Sequence, residues 1–185
     1  MPVSQLSEQP AETTDFYVRC ARPWSSATSW QEVNQTLDYL LWRNRSSLVK
    51  ATELARVIQS QLETMFPLLD ELCAETCPWC PDPCCGVATV WIDFQDLLFL
   101  HLSRQKIPPL QLQKEKDGNC RYSGPRGCLL PRLSRPWVCT WYLCPPQTGK
   151  LRSMPVRVRE NLKNAVRIIK TSRKAMETEF IFAVS

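Results

Sequence analysis

The chain of 185 residues is poor in glycine and histidine and has no long hydrophobic run. With five glycines it shows no phosphate-cradling loop. Its longest apolar stretches, such as Leu97–Leu100, are far shorter than the roughly 20 residues that span a bilayer. The N-terminal stretch MPVSQLSEQPAETTD lacks the basic start and apolar segment of a signal peptide. We therefore expect no membrane segment, no export by that route, and a cytoplasmic protein.

Ten cysteines stand out against this background. A reducing cytosol does not maintain disulfides, and clustered thiols there more often bind metal or do redox work. Five of the cysteines lie in the stretch CAETCPWCPDPCC, which runs from Cys73 to Cys85. Pro78, Pro81 and Pro83 prevent a regular helix there, because each removes a backbone donor and clashes with the preceding turn. The stretch is therefore predicted to be a thiol-rich loop.

Eight of the ten cysteines form two compact groups. The first group is Cys77-x2-Cys80-x3-Cys84-Cys85, and the second is Cys120-x7-Cys128-x10-Cys139-x4-Cys144. A C-x2-C pair can aim both sulfurs at one centre, and a distant second set can close a tetrahedral sulfur cage. Zinc and iron–sulfur clusters both accept such ligands. The pattern predicts a metal, and it is compatible with one site or two.

Two features favour an iron–sulfur cluster over zinc. The single histidine, His101, lies in a predicted helix as a surface or packing residue, so a mixed Cys/His zinc site lacks support. Four tryptophans near the cysteines would form either a dry shell around a cluster or ordinary core: Trp79, Trp91, Trp137 and Trp141. Four arginines would offset the charge of bound thiolates or simply keep the loops soluble: Arg121, Arg126, Arg132 and Arg135.

The predicted fold is α+β and mainly α, with long N- and C-terminal helices around a small, irregular, cysteine-rich core with one or two short strands. Helical periodicity over residues 29–72 begins at a predicted Ser29–Glu32 capping box. It indicates one long helix, or two helices that break near Asn44–Ser47, with Ser46 as the second cap. An apolar stripe indicates a C-terminal helix to about Glu179 that packs on the N-terminal helices or on a second copy: Val158, Leu162, Ala165, Ile169, Ser172 and Met176.

Shorter elements are predicted between these helices. The β-branched run Val87–Ile92 indicates a strand, and Asp93 and Asp96 are typical caps of a helix over Phe94–Arg104. A second strand is predicted at LQLQ (110–113), with a turn at 117–118. The expected divisions are a flexible arm over 1–28 with a free Cys20, a helical segment over 29–72, a metal-binding domain over 73–150, and an amphipathic helix over 151–185.

The cysteine pattern resembles the CxxCxxCC family, described as a zinc- or iron-chelating domain. The shared features are the CC pair, the GNC triplet at 118–120, and the ending Arg135-Pro136-x2-Cys139, which is the most specific part. The resemblance covers residues 73–146, with one residue more before the CC pair than the family name implies. It implies a metal-binding domain with these ligands: Cys77, Cys80, Cys84, Cys85, Cys120, Cys128, Cys139 and Cys144.

Cys73-x3-Cys77-x2-Cys80 is also similar to the cluster motif of radical S-adenosylmethionine enzymes. Those enzymes place the motif after the first strand of a large partial barrel and add a glycine-rich motif. Here a helical segment precedes the cysteines, so we do not expect membership. The spacing nevertheless keeps Cys73 as a further ligand candidate, because Cys73 and Cys77 lie one turn apart if the helix continues.

Three functions follow from these observations. The first is a metalloprotein with an iron–sulfur cluster or zinc, in electron transfer, redox sensing or accessory work. The second is a methylase-like enzyme, because some longer members of the family are flagellin lysine methylases. The third is a zinc-stabilised interaction module that binds a protein or associates with itself through its long helices. Residues 151–185 carry eight basic and three acidic groups. We interpret this excess chiefly as a solvated helix face, and expect no nucleic-acid binding.

Overall fold

Helices make up most of the structure. The computed structural model describes residues 23–81, 83–124 and 127–185, without the side chain of Cys85. Its helices are α1 (Ala27–Arg43), α2 (Val49–Thr76), α3 (Cys84–Val87), α4 (Phe94–Leu102), α5 (Trp137–Trp141), α6 (Pro145–Ser153) and α7 (Val156–Val184). Strand β1 (Ser123–Gly124) pairs with β2 (Gly127–Cys128) in an antiparallel hairpin. The prediction of an α+β, mainly helical chain is confirmed. Most of the predicted N-terminal arm, including Cys20, lies outside the described residues.

The two longest helices, α2 and α7, pack along each other and form the centre of the fold. Lys50 near the start of α2 pairs with Glu179 near the end of α7, so the two helices run antiparallel. Leu162, Ile169 and Met176 of the predicted stripe are buried in the shared core. The stripe therefore packs on an N-terminal helix, which confirms the first of the two predicted arrangements.

The N-terminal helices begin at other residues than predicted. The break near Asn44–Ser47 is confirmed, but Ser46 caps nothing, and α2 instead begins after the buried Leu48. The predicted Ser29–Glu32 capping box is wrong, because Ser26 and Ser29 form the box and α1 begins at Ala27. Ser26 Oγ accepts the Ser29 backbone N–H at 3.0 Å, and Ser29 Oγ accepts the Ser26 N–H at 3.3 Å. A second serine hydroxyl replaces the expected carboxylate.

The predicted strands at Val87–Ile92 and 110–113 are wrong. The Gln111 side chain takes the place of a strand partner for Ile92, accepting its N–H at 2.8 Å and donating to its carbonyl at 2.9 Å. One buried amide thus satisfies both backbone groups of Ile92, and in the described part of the chain no strand pairs there. The predicted turn is confirmed, with Gly118 at a φ of 81°.

The capping of α4 is confirmed at both residues. Asp93 Oδ1 accepts the Asp96 N–H at 2.7 Å, and Asp96 Oδ2 accepts the Asp93 N–H at 3.2 Å. The helix ends at Leu102, two residues early, and Arg104 has a left-handed φ of 54°. The C-terminal helix runs five residues beyond the predicted Glu179, to Val184. None of the helices that the structure describes combines the length and apolar character needed for a membrane crossing.

Candidate metal centre

Seven of the eight cysteines whose side chains the structure describes fall into two groups, each of which mixes the two sequence clusters. We call Cys84, Cys120, Cys128 and Cys139 the hairpin thiols, because the charges of the first three all raise the pKa of Cys139. We call Cys73, Cys77 and Cys144 the α6 thiols, because all three adjoin the Gln147 side chain of helix α6. The fold thus brings cysteines from residues 84 to 139 of the sequence near one another.

The hairpin thiols are held by short elements. Cys128 lies on β2 opposite Ser123, and Cys120 forms an isolated bridge with Lys114. Burial of the Cys120 thiol raises its pKa, and the charge of Cys128 acts in the same direction. Although Cys139 is an exposed residue, burial of its thiol and then the charges of the other hairpin thiols raise its pKa to about 12. These two thiols therefore stay protonated at neutral pH unless a cation replaces their protons.

Lys114 fixes the turn that carries the CC pair against the loop of Cys120. Its Nζ donates to the carbonyls of Gly86 at 2.8 Å and Val87 at 3.1 Å, at the end of α3. A Cβ on Gly86 would lie 3.0 Å from Asn119 Oδ1, so a glycine permits this close approach. The CCG turn and the GNC triplet are therefore neighbours in the fold, although more than thirty residues separate them in sequence.

Helix α5, which carries Cys139, is anchored by a buried ion pair. Asp96 Oδ1 accepts the Trp137 N–H at 2.9 Å and lies 2.5 Å from Arg173 Nη1. Arg173 also bonds Asp93 Oδ1 at 2.9 Å. Burial raises the pKa of Asp96 to about 6, against the opposing charge of Arg173. The sequence predicted that both carboxylates cap α4, but it did not predict that both also bind Arg173.

Arg173 is the positioning residue that the sequence analysis missed. It follows Ile169 by four residues and precedes Met176 by three, so it falls on the buried side of α7. The signal in the sequence was an arginine on the apolar side of a helix, because a buried arginine requires carboxylate partners. Asp93 and Asp96 are those partners.

The α6 thiols surround one buried amide. Helix α2 continues to Thr76, so Cys73 and Cys77 lie one turn apart. Gln147 Nε2 lies 3.4 Å from Cys73 Sγ and 3.9 Å from Cys77 Sγ, while its Oε1 accepts the Cys144 N–H at 3.3 Å. Burial and then the Cys77 charge raise the pKa of Cys73 to about 11. Cys73, the additional candidate, thus lies beside a ligand that the resemblance implies.

Arg135, from the most specific part of the resemblance, lies between the two groups. Its Nε donates to the Leu130 carbonyl at 3.0 Å, and its Nη2 lies 3.5 Å from the Cys128 carbonyl. Its charge acts to lower the pKa of Cys73.

Of the other predicted arginines, Arg121 pairs with Glu115 and Arg132 with Asp70, while Arg126 lies outside the described residues.

Some predicted features do not assemble. Among the described side chains, no three of histidine, cysteine, aspartate or glutamate lie close enough to share one metal ion. Cys80 donates its backbone N–H to the Cys77 carbonyl at 3.2 Å, and among the described residues no hydrogen bond joins its thiol to either group. The predicted tryptophan shell is wrong at Trp79, which is 82% exposed, because the short 3-10 turn Cys77–Trp79 directs that ring into solvent.

His101 has the packing role that the sequence predicted. Its ring is buried between helices, with Nδ1 2.8 Å from Asp38 Oδ1 and Nε2 2.9 Å from Asn34 Oδ1. Burial lowers the pKa of this imidazole, against the charge of Asp38. Both ring nitrogens already have partners on α1, so His101 is not a metal ligand in this arrangement.

Comparison of the chain with protein-family models, with curated proteins and with solved structures gave no match. The resemblance to the CxxCxxCC family therefore stays a prediction that depends on the residues quoted for it.

Proposed function

We propose that the protein binds a thiolate-ligated metal, an iron–sulfur cluster in the first place or zinc, and that the hairpin thiols form the centre. The observation that carries the proposal is that three cysteines from distant parts of the chain, Cys84, Cys120 and Cys128, lie near enough to Cys139 for their charges to act on its thiol. Burial of the Cys139 thiol and, after it, the charges of the other three hairpin thiols raise its pKa to about 12, which reflects the cost of forming a thiolate there without a cation. A bound cation would remove that cost, because it neutralises the sulfurs that repel each other.

The donor set suits such a metal. The hairpin thiols provide sulfur donors, which zinc and iron–sulfur clusters accept and which magnesium and calcium do not favour. Metal binding requires these side chains to turn from their described positions toward one point, since no three of the described side chains yet share one. Cys85, next to Cys84 on α3, is the further donor that the resemblance implies.

The surroundings support a redox, sensing or accessory role. Cys84 and Cys139 are exposed residues, so the centre would lie near the surface, where electrons or metal can pass to a partner. Short elements and loops carry the hairpin thiols, and such segments change shape at lower cost than the α2–α7 core. A centre there can report its occupancy through the loops that carry it.

Anaerobic purification tests the proposal. We expect brown protein with broad absorbance near 400 nm and matched iron and sulfide for a cluster, and colourless protein with stoichiometric zinc for the zinc form. Well-folded protein that carries neither metal, and takes up neither when iron and sulfide or zinc are supplied without oxygen, would overturn it. Binding of S-adenosylmethionine, measured by calorimetry on the same preparation, would instead favour the methylase-like alternative.

A further inference from the structure

A straight line of exposed cations runs along the outer side of α7. We name it the basic stripe: Lys163, Arg167, Lys170 and Lys174, all exposed. Successive members are four, three and four residues apart, so they lie within about 60° of each other around the helix axis. Together they extend over about 16 Å of helix.

Among the described residues, no carboxylate forms an ion pair with a cation of the basic stripe. Elsewhere in the described chain four exposed or half-buried cations have acidic partners: Lys50 with Glu179, Lys150 with Glu75, Arg132 with Asp70, and Arg121 with Glu115. Arg167 donates to the neutral Asn164 side chain at 2.7 Å, and Lys170 Nζ lies 5.0 Å from the centre of the Trp141 ring. The stripe therefore keeps its positive charge available for another molecule.

Exposed apolar side chains border the basic stripe. Val156 and Ile181 continue the same line at its two ends and are 56% and 51% exposed. Trp141, 39% exposed, lies beside Lys170, and Val138 and Tyr142 of the same segment are also exposed. Apolar contacts next to charged ones are typical of protein–protein interfaces.

We propose that the basic stripe binds an acidic helix of a partner protein. Carboxylates at the same four-, three- and four-residue spacing on a packed helix would face all four cations, as the charged edges of paired helices do. Apolar residues at both ends of that helix would cover Val156 and Ile181. A phosphate backbone would match the charges but offers no apolar surface for those two ends, so the structure favours protein over nucleic acid.

The surface adjoins the candidate centre. Trp141 under Lys170 ends α5, the helix that carries Cys139 two residues earlier. A partner on the basic stripe would therefore lie next to the hairpin thiols. Charge and exposure alone define this surface, so its binding of a partner does not depend on a bound metal.

Fluorescence anisotropy with a labelled synthetic peptide tests the proposal on the full chain. The peptide carries glutamates at the stripe spacing and a leucine near each end, and the control peptide has the same composition in scrambled order. We expect Lys163→Glu with Arg167→Glu to weaken binding by about tenfold or more. Arg45→Glu with Lys116→Glu, which makes the same charge change at exposed sites elsewhere, should weaken it by less than about threefold.

Charge exchange keeps the test decisive if a variant is poorly folded. A peptide with lysines in place of glutamates should bind the Lys163→Glu, Arg167→Glu, Lys170→Glu, Lys174→Glu variant and not the parent. Equal binding of ordered and scrambled peptides, equal loss in stripe and control variants, or tighter binding of a single-stranded or duplex oligonucleotide of equal charge would overturn the proposal. Failure to bind the ordered peptide at low salt would overturn it too.

Discussion

The buried ion pair of Arg173 and Asp96 joins helices α4 and α7 and also holds the start of α5. Both side chains are nearly inaccessible, and the carboxylate also receives the backbone of α5. We predict that Arg173→Leu lowers the free energy of unfolding by about 3–5 kcal/mol, because it leaves buried charge without a partner. Urea unfolding measures this. Lys174→Leu, one residue along on the exposed side, should change it by less than about 0.5 kcal/mol; equal losses would refute the role given to Arg173.

Asp96 should also make stability depend on pH. Its pKa in the folded protein, about 6, lies above the ordinary 3.8, because burial disfavours the charged form. Between these values the folded state binds more protons than the unfolded state, so this carboxyl stabilises fully below pH 3.8 and loses that contribution as pH rises through 6. We predict that the wild type loses stability from pH 4 to pH 7 relative to Asp96→Asn in urea titrations. Parallel pH profiles would contradict this.

At the scale of single residues, sequence predicted local roles better than distant ones. The Asp93–Asp96 caps follow from spacing within one turn, and the structure has both. Their bond to Arg173 joins residues almost eighty positions apart, and no local pattern encodes which helix will face them. The same limit applies to Gln111, whose amide satisfies Ile92 across the core.

Helix periodicity predicted where the long elements lie, but not where each begins. Leu48, a buried residue without a side-chain cap, precedes the first residue of α2. A search for capping residues in the sequence cannot detect a helix start that depends on tertiary packing. The Val87–Ile92 run failed for a related reason, since β-branched residues favour extended backbone whether or not a strand pairs with it. The pattern of these residues is therefore typical of a strand, but Ile92 is paired with the Gln111 side chain and not with a neighbouring strand.

The correction at α1 can be tested directly. We predict that Ser26→Ala lowers the free energy of unfolding by about 1 kcal/mol, because the helix loses its N-cap. Glu32→Ala should cost less than about 0.5 kcal/mol, since Glu32 is an exposed residue outside the capping box. Thermal or urea unfolding measures both. If Glu32→Ala costs more than Ser26→Ala, the box that the sequence suggested is the right one.

Lys114 should matter for metal retention rather than for folding. It bonds the last carbonyls of α3 and neighbours Cys120, so it holds two sets of candidate ligands together. We predict that Lys114→Met lowers metal affinity by about 10- to 100-fold, as loss of an outer partner of a metal ligand does. Competition with a chelator measures the affinity. The exposed Lys116→Met is the matched control, and equal affinity in both variants would contradict the role of Lys114.

For the whole molecule, the antiparallel α2–α7 pair forms a core from which the cysteine-bearing segments extend. Sequence spacing suggested that two cysteine clusters converge, and it placed the candidate ligands within 77–144. It did not show that Cys84 would come near Cys139 while Cys73 and Cys77 would lie beside Gln147. That division depends on α6, a helix that begins at Pro145 within the predicted metal-binding domain over 73–150. Its proline start and short length left no periodic pattern to detect.

The most direct test of the account is the metal content of cysteine variants purified without oxygen. If the hairpin thiols hold the metal, Cys128→Ser and Cys139→Ser should each retain less than about a tenth of the metal bound by the parent chain. Cys20→Ser, predicted to remove a free thiol, should retain all of it. Full metal content in Cys139→Ser, or an equal loss in Cys20→Ser, would contradict the assignment of the centre to the hairpin thiols.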